Sequence, residues 1–305
     1  MYAVYNYAAG ATAANVASDM IKLMTGETNK ANLSADCVQA NTSIVSTVAA
    51  GWTVHDAAAG TNTQVLKALC ADGTTWKYYK FGVTSTTATV ANHYESWNAT
   101  THAGTNACFL DSYGTGVWAS TQGGYFYLYV TPRNIIFFSF ASAAYQNLNG
   151  GIFVEYTRDG VLPGYPCTAQ WGWAGNNSLV LSSGGNLFTP RSKIVNGAGD
   201  LTSGGFVGYP FVYLAQNCAA GSFVDNSGFY RDASEANLIP VYKLGAAYSN
   251  NNQTNVGRRY LGECYDILAI SSAVGTARDE FTYGGKTYVL HGNPASGLYM
   301  GLPKE

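Results

Sequence analysis

Residue types that catalyse hydrolysis or hold a metal ion occur in this sequence, but they stand apart from one another. The four histidines, at positions 55, 93, 102 and 291, never form the His-x-x-x-His pair of a metallopeptidase helix. His93-Tyr94-Glu95 would place an imidazole and a carboxylate on one face of a strand, which indicates either a metal-binding pair or, far more commonly, a surface pair. A Gly-x-Ser-x-Gly nucleophile motif is absent. The sequence therefore predicts neither a metal centre nor an activated nucleophile.

Carboxylates give no clearer indication of chemistry. Glycoside hydrolysis needs two neighbouring carboxyl groups, and the spacing of the candidate acids does not distinguish them from surface residues; these are Glu95, Asp111, Glu155 and Asp159. The run 225–228, Asp-Asn-Ser-Gly, has the residue types of a calcium loop but lacks the later bidentate glutamate, so it predicts a turn. We expect no enzymatic activity and no cofactor.

Indole rings leave sugar binding open. Trp97, Trp118, Trp171 and Trp173 have asparagine or glutamine residues nearby, and such a combination could stack on a saccharide and hydrogen-bond to it. If the run 170–173, Gln-Trp-Gly-Trp, is extended, its two indoles lie on the same side of the strand. The favoured interpretation is that these rings are core or interface anchors, because buried Trp and Tyr dominate protein interfaces.

The composition is poor in charge and rich in aromatic rings. Charged residues make up 11% of the chain, against roughly 25% in a typical soluble domain. Aromatic residues make up 14%, including 23 Tyr, and the net charge is −2. Weak self-repulsion favours association, and Tyr and Trp are enriched at interfaces. The composition predicts a subunit that is surrounded by other subunits; the alternative is a monomeric, tyrosine-rich β protein.

Several partner classes are not expected. The longest basic run is Arg258-Arg259, too short for a phosphate-binding patch, so nucleic acid is not a predicted partner. Apolar runs such as 135–138 are far below the roughly 20 residues that span a bilayer, so membrane insertion is not predicted. The first residues show no signal peptide. The six cysteines are widely spaced, which predicts reduced and mostly buried thiols.

Helical patterns are confined to the N-terminal part. Thr12 to Thr25 predicts a helix with Thr12 as its N-cap and Gly26 after its end, because Val16, Met20 and Leu23 share one face. Asp36 to Ala49 predicts a second helix or, since it is rich in β-branched residues, a strand.

From Gly51 onward the patterns are mostly those of β-strands. Three hairpins are predicted, each from a turn between two apolar segments. The turns are Ala71–Thr74, which contains Asp-Gly, then Thr131–Asn134, in which Pro132 presets the bend, and Gly284-Gly285. The stretches Val161–Gly228 and Ser249–Asn255 are rich in Gly, Ser and Asn and predict long loops.

These elements together predict a mainly β fold with antiparallel sheets, arranged as a sandwich or in a barrel-like way. A short N-terminal helical element would occupy residues 1–50, and one large β domain would occupy residues 51–305. A split near residue 160 is the alternative, because no clear linker divides the chain.

Five stretches of the sequence resemble virion structural proteins of tailed bacteriophages. They are Thr25–Ser34, Ala50–Val54, Tyr94–His102, Phe153–Asp159 and Phe281–Leu290. The resemblance implies a non-enzymatic component of the tail, baseplate, neck or capsid surface, present in many symmetric copies and located in the virion after assembly in the bacterial cytoplasm. Its implied partners are copies of itself and other virion proteins. It supplies no catalytic residues.

Aromatic residues are the candidate interface anchors. The set is Tyr2, Tyr5, Tyr7, Trp52, Trp97, Trp118, Trp171 and Trp173. The three tyrosines alternate as in a strand and could dock on a neighbouring subunit as an added strand; the alternative is that they pack within their own chain. A second function stays open, an exterior receptor-binding, carbohydrate-binding or capsid-decoration protein whose partner is a host surface glycan.

Overall fold

A computed structural model of the chain has the expected fold class. Within the described residues the secondary structure is mainly β, the strand pairings are antiparallel, and a short α-helix lies near the N-terminus. The sheets of this part of the chain are open and do not close into a barrel. The structure describes residues 1–83, 88–105, 113–114, 123–141, 147–155, 168–174, 222–224, 230–232, 241–248, 259–271, 278–291 and 298–304.

Short strands make up most of the described chain, and a helix interrupts them after the first strand. The earlier elements are β1 Tyr2–Tyr7, α1 Ala13–Met24, a 3-10 helix Lys30–Asn32, β2 Ser43–Val45, β3 Thr53–Gly60, β4 Thr63–Leu69, β5 Trp76–Val83, β6 Ala88–Tyr94, β7 Ser96–Asn98, β8 Ala103–Thr105, β9 Tyr113–Gly114, β10 Gly124–Val130, β11 Asn134–Ala141, β12 Asn147–Glu155 and β13 Thr168–Ala174. The later elements are β14 Ser222–Val224, β15 Tyr230–Asp232, β16 Val241–Tyr248, β17 Arg259–Ser271, β18 Glu280–Tyr283, β19 Lys286–His291 and β20 Leu298–Pro303.

Helix α1 begins and ends where capping chemistry predicts. The hydroxyl oxygen of Thr12 accepts a hydrogen bond from the backbone N–H of Asn15 at 3.2 Å. The helix ends at Met24, and Gly26 follows with a φ of 97°, a conformation that glycine adopts at least cost. The expected apolar positions are buried, namely Val16, Met20 and Leu23. The predicted helix is therefore confirmed.

A buried carboxylate, Asp19, ties α1 to β1 and to the loop that follows the helix. Its Oδ2 accepts a hydrogen bond from the Tyr5 hydroxyl at 2.9 Å, and its Oδ1 accepts one from the backbone N–H of Ser34 at 2.8 Å. The Ser34 hydroxyl donates to Oδ2 at 2.6 Å, and Lys22 Nζ lies 3.4 Å from Oδ1. Each carboxylate oxygen thus has donors, which offsets the cost of burying the charge.

The segment Asp36–Ala49 contains no helix, and the helical alternative for it is wrong. The backbone N–H of Val38 donates to the carbonyl of Asn6 at 2.8 Å, and tight turns follow. Only Ser43–Val45 pairs as a strand, β2, alongside β1. The segment is rich in Val, Ile and Thr, whose branched side chains favour extended backbone over helix. The strand alternative is correct for β2 alone.

The first sheet contains β1 as an interior strand. Its order is β13-β12-β11-β10-β1-β2. β1 pairs antiparallel with β10 along its whole length, from Tyr2 opposite Tyr129 to Tyr7 opposite Gly124, and β2 pairs with its other edge. β10 and β11 form the hairpin predicted at Thr131–Asn134, in which the Thr131 hydroxyl accepts the backbone N–H of Asn134 at 3.1 Å.

The second sheet has the order β3-β4-β5-β6-β9. The hairpin predicted between β4 and β5 is confirmed. Asp72 Oδ1 accepts the backbone N–H groups of Thr74 and Thr75 at 2.9 and 2.8 Å, and Gly73 has a φ of 71°. The turn residues of the Asp-Gly pair thus make the local contacts that reverse the chain.

The two sheets face each other as the layers of a sandwich. The ring of Phe81 on β5 lies 5.4 Å from that of Phe137 on β11, and the ring of Tyr79 lies 5.3 Å from that of Phe153 on β12. Trp52, just before β3, contacts the same Phe153 at 5.5 Å. α1 packs against β5. Because side chains alternate along β5, its neighbouring residues point to the opposite, outer face of the second sheet.

The chain divides into two compact units, the first with α1 and β1 to β13 and the second with β14 to β20. The main sheet of the second unit has the order β16-β17-β20-β19-β18. Its predicted hairpin at Gly284-Gly285 is confirmed, with φ values of 58° and 79°. Its described core contains Leu268, Tyr288 and Leu290. The domain limits expected from the sequence, 1–50 and 51–305 or a split near 160, stay predictions.

Some predictions fall mostly outside the described residues. Of the segment 161–228, expected as long loops, the structure describes β13 and β14, which are strands; the loop expected at 249–255 lies outside the described residues. Cys37 and Cys70 are buried thiols, as predicted. The side chains of the other four cysteines are not among those described.

Candidate functional site

Asp56 on β3 is the centre of a hydrogen-bonded cluster on the outer face of the second sheet. The side chain is buried, and its Oδ2 accepts hydrogen bonds from Trp97 Nε1 and His102 Nδ1, both at 2.8 Å. Its Oδ1 accepts the backbone N–H of Ala58 at 2.9 Å. Burial alone would raise the pKa of Asp56, but the hydrogen bonds from His102 and Trp97 outweigh it and hold the pKa below its usual value. Asp56 is therefore a stable anion.

A bulge in β3 brings two neighbouring residues to this face. Val54 pairs with Leu66 on β4, but the next pair joins Asp56 to Val65, so β3 carries one extra residue. His55 consequently shares the face with Asp56. Its ring lies 5.1 Å from that of Tyr78, across β4.

A short hairpin, β7–β8, folds over part of the same face. Trp97 pairs with Gly104 across the hairpin, and the Trp97 carbonyl lies 3.3 Å from His55 Nε2. A side chain at Gly104 would collide with the rings of Tyr94 and Trp97, so only glycine lets β8 pack closely against these two rings. His102 has a φ of 52°, which turns its ring towards Asp56. The hairpin is thus held to β3 through contacts with Asp56 and His55.

The Asp56–His102 pair leaves one imidazole nitrogen available. An ionised carboxylate only accepts hydrogen bonds, so Nδ1 of His102 donates to Asp56, and the His102 side chain is 45% exposed. The second imidazole nitrogen, when it is unprotonated, can accept a proton or bind a metal ion. Within the described ranges, no group of three or more His, Cys, Asp or Glu side chains could hold a metal ion. The same part of the chain places no Ser, Thr or Cys in hydrogen-bond contact with the His102 side chain.

Beside the hairpin, β4 and β5 present lysine and aromatic side chains together. We call Lys67, Trp76, Tyr78 and Lys80 the lysine–aromatic face. Lys67 Nζ lies 4.8 Å from the ring centre of Trp76, and Lys80 Nζ lies 5.4 Å from that of Trp97. Both distances are those of cation–π contacts. The Trp76 side chain is 43% exposed, and the other three residues are half-buried.

The tyrosines of β1, predicted as interface anchors, are core residues of their own chain. Tyr2, Tyr5 and Tyr7 are all buried. Docking as an added strand requires a free edge, whereas β1 is paired on both sides with β10 and β2. This is the alternative that the sequence left open, and no exposed ring supports an interface role for the three residues.

The five tryptophans predicted as anchors have different positions. Trp52 is buried between the two sheets, and Trp97 is buried beneath its hairpin. Trp171 and Trp173 lie in β13, of which only the backbone is described, and Trp118 lies outside the described residues. Of this set, Trp97 alone belongs to the cluster around Asp56.

Two candidate acid–base residues lie deeper than the sequence predicted. His93, expected in a surface pair with Glu95, is buried with its ring 5.1 Å from that of Phe153. β6 ends before Glu95, so the expected surface pair is wrong. Glu155 is also buried rather than a surface acid. The other two candidate acids, Asp111 and Asp159, lie outside the described residues, as does the turn expected at 225–228.

Sequence reasoning missed most of the site. Trp76, Tyr78 and Lys80 recur at every second position of β5, and this period of two could have indicated a shared face. Asp56 and His102 have no such local pattern, because they are 46 residues apart and meet only through the bulge and the hairpin.

Neither the protein-family models nor the curated proteins contain a match to this chain. No helix in the described part of the chain is long and apolar enough to cross a membrane. The function is therefore argued from the composition and from the geometry of the described surface.

Proposed function

We propose that this chain is a non-enzymatic structural subunit of a tailed-phage virion, assembled in multiple copies in the tail or baseplate region. The observation that carries the proposal is the scarcity of charge, since only 11% of the residues are charged and the net charge is −2. A surface with so few ionic groups is weakly protected against association. The resemblance of five stretches to phage virion proteins is the reason for proposing that the assembly is a phage particle.

The contacts between subunits are assigned to exposed apolar residues rather than to the aromatic residues of the core. Val48, Val54, Trp76 and Tyr283 are large, apolar and exposed. Stable interfaces bury roughly 1,600 Å² in total and are anchored by a few aromatic residues. Trp76 in the first unit and Tyr283 in the second therefore replace the buried tyrosines of β1 as the anchors that we propose.

The non-enzymatic part of the proposal has its own check. Asp56 and His102 form the acid–base pair on which this check is based. If the chain were a hydrolase that used this pair, the His102→Ala variant would lose the activity. We expect neither the natural chain nor this variant to release reducing sugar from bacterial cell walls or capsules. Release by the natural chain that is abolished by His102→Ala would contradict the proposal.

The assembly proposal is tested on particles and on purified protein. Mass spectrometry of gradient-purified virions should find the chain at a fixed ratio to the tail-tube or capsid protein. Light scattering of the purified chain should give a mass that rises with concentration, and Trp76→Ser should reduce that rise. Absence from virions, together with a monomer at high concentration, would overturn the proposal.

A second candidate function has a specific observation in its favour. The lysine–aromatic face combines the exposed ring of Trp76 with two ammonium groups that have no carboxylate partner among the described residues. Such a face suits an exterior receptor-binding, carbohydrate-binding or capsid-decoration protein whose partner is a host surface glycan. This function predicts that the labelled chain binds host cells, and that enzymatic removal of surface glycan abolishes the binding. Equal binding to stripped and intact cells would argue against it.

A further inference from the structure

The lysine–aromatic face lies on the outer sheet surface at the border of the β7–β8 hairpin, which covers Lys80 and leaves the rows beyond it open. The hairpin contacts β3 at His55 and Asp56, and it lies over Lys80 on β5 through the ring of Trp97. One row further along the strands, Lys67 pairs with Tyr78, and Trp76 lies diagonally beside Lys67. Diagonal neighbours on a sheet are about 7–8 Å apart, which long side chains bridge. The open rows therefore form one continuous surface beside the hairpin.

The ammonium groups of this face have no carboxylate partner in the described part of the chain. Neither Lys67 nor Lys80 forms an ion pair there; each lies against an indole ring instead. The acid nearest to this face on β3, Asp56, is buried and already accepts three hydrogen bonds. Asp72, in the adjoining turn, is likewise engaged by Thr74 and Thr75. The two ammonium groups thus stay without a carboxylate partner in this part of the chain and can meet the carboxylates of a ligand, although the chain as a whole carries a net charge of −2.

We propose that the lysine–aromatic face binds a saccharide that carries carboxylate groups. The rings of Trp76 and Tyr78 offer flat apolar surface to the C–H face of a sugar ring, and Lys67 and Lys80 offer point charges to its carboxylates. The proposal rests on the second of the two functions above and names the class of ligand and the residues that bind it.

The charge pattern favours an acidic saccharide over a nucleic acid. Nucleic acids carry a phosphate on every nucleotide, and proteins that bind them gather many basic side chains along the strand. This face has two lysines and no arginine, so it can neutralise only a sparsely charged ligand. A sugar chain in which uronic acids alternate with neutral sugars, as in hyaluronate, carries one carboxylate every two residues and matches that number better.

The test measures binding of defined oligomers to the full chain by calorimetry. The probes are hexagalacturonate and a hyaluronate hexasaccharide as acidic ligands, maltohexaose as the neutral control, and a twelve-residue oligothymidylate as the nucleic-acid arm. We expect one or both acidic ligands to bind, the neutral ligand not to bind, and affinity to fall when salt is raised. Tighter binding of the oligothymidylate, or no binding of either acidic ligand at millimolar concentration, would overturn the proposal.

Matched variants locate the site. Trp76→Ala should weaken binding about tenfold, the effect that loss of one aromatic stacking partner has, and Lys67→Gln with Lys80→Gln should remove most of the salt dependence. The controls are Tyr283→Ala, which removes a ring that is 48% exposed, and Lys286→Gln, whose lysine pairs with Asp266 at 3.6 Å. Unchanged binding in the Trp76 and lysine variants, or equal loss in the controls, would contradict the assignment.

A measurement on the natural chain covers the case in which a variant does not fold. Acetic anhydride labels exposed lysines, and mass spectrometry reads the labelling of each one. Hexagalacturonate or the hyaluronate hexasaccharide should protect Lys67 and Lys80 but not Lys286. Equal labelling with and without a bound ligand would refute the site. If the chain bound host cells through a neutral glycan and no acidic ligand protected Lys67 and Lys80, the carbohydrate-binding function would be supported. Only the proposal of an acidic saccharide would then be wrong.

Discussion

Acid should destabilise the first unit through His93, a histidine that is held neutral in the core. Burial, and then the charge of Lys77, lower the pKa of His93 to about 3, against about 6.5 in an unfolded chain. Between these values the unfolded chain binds a proton that the folded chain does not, so stability is lost as the pH falls below 6.5. At pH 5, which is about 1.5 pH units below the unfolded pKa, protonation of His93 stabilises the unfolded state by about 2 kcal/mol relative to pH 8.

The variant His93→Gln tests this value, because glutamine stays neutral at every pH in the range. Hydrogen exchange with mass spectrometry, corrected for the intrinsic exchange rate, gives the opening free energy of β5 and β6 at pH 8 and at pH 5. Between pH 8 and pH 5 we expect the opening free energy of β5 and β6 to fall by about 2 kcal/mol in the natural chain. In the variant it should fall far less, whatever the stability of the variant at pH 8. His102→Gln is the control, since the His102 side chain is 45% exposed and lies outside the core.

His291 provides a second and separate check. Burial, followed by the charge of Arg278, lowers its pKa to about 3, and it lies in the second unit on β19. His291→Gln should therefore flatten the pH dependence of β19 and leave that of β5 and β6 unchanged. If His93→Gln showed the same loss of protection in β5 and β6 as the natural chain, the reasoning from burial would be refuted.

Three further substitutions test individual contacts by urea unfolding. Thr12→Ala should cost about 1 kcal/mol by removing the cap of α1, whereas Thr12→Ser should cost little; equal losses would remove the cap from the explanation. Asp19→Ala should cost about 3 kcal/mol, because the Tyr5 hydroxyl and the Ser34 backbone N–H lose their acceptor; a neutral effect would contradict this. Gly104→Ala should cost about 2 kcal/mol through overlap with the neighbouring rings and shift the tryptophan emission; an unchanged spectrum and stability would contradict the packing.

Elements whose cause is local were predictable from the sequence. α1 follows from a cap, a period of 3.6 and a glycine after its end, all within fifteen residues. The hairpins at Asp72-Gly73 and Gly284-Gly285 follow from turn residues that adopt positive φ without strain. The mainly β class follows from the repetition of such turns, since each one reverses the chain between two apolar strands.

Elements whose cause is tertiary were not predictable. The alternating tyrosines of β1 suit an edge strand that docks elsewhere as well as they suit an interior strand. What decides between the two is the pairing of Tyr2–Tyr7 with Gly124–Tyr129, more than a hundred residues later. His93 was misplaced for a related reason. Alternation along β6 puts it on one of two faces, and only the sheet opposite, with Phe153, identifies that face as the inner one.

The candidate site also depends on contacts between residues far apart in the sequence, and these contacts make the bulge, the hairpin and the open rows depend on one another. The bulge at His55–Asp56 gives β3 a carboxylate on the outer face, and that carboxylate holds the β7–β8 hairpin through Trp97 and His102. The position of the hairpin in turn decides which rows of β4 and β5 stay open. Asp56 therefore shapes the lysine–aromatic face without belonging to it. An Asp56→Ala variant that frees the hairpin should alter glycan binding as much as a change at Trp76, even though Asp56 offers a ligand no exposed atom.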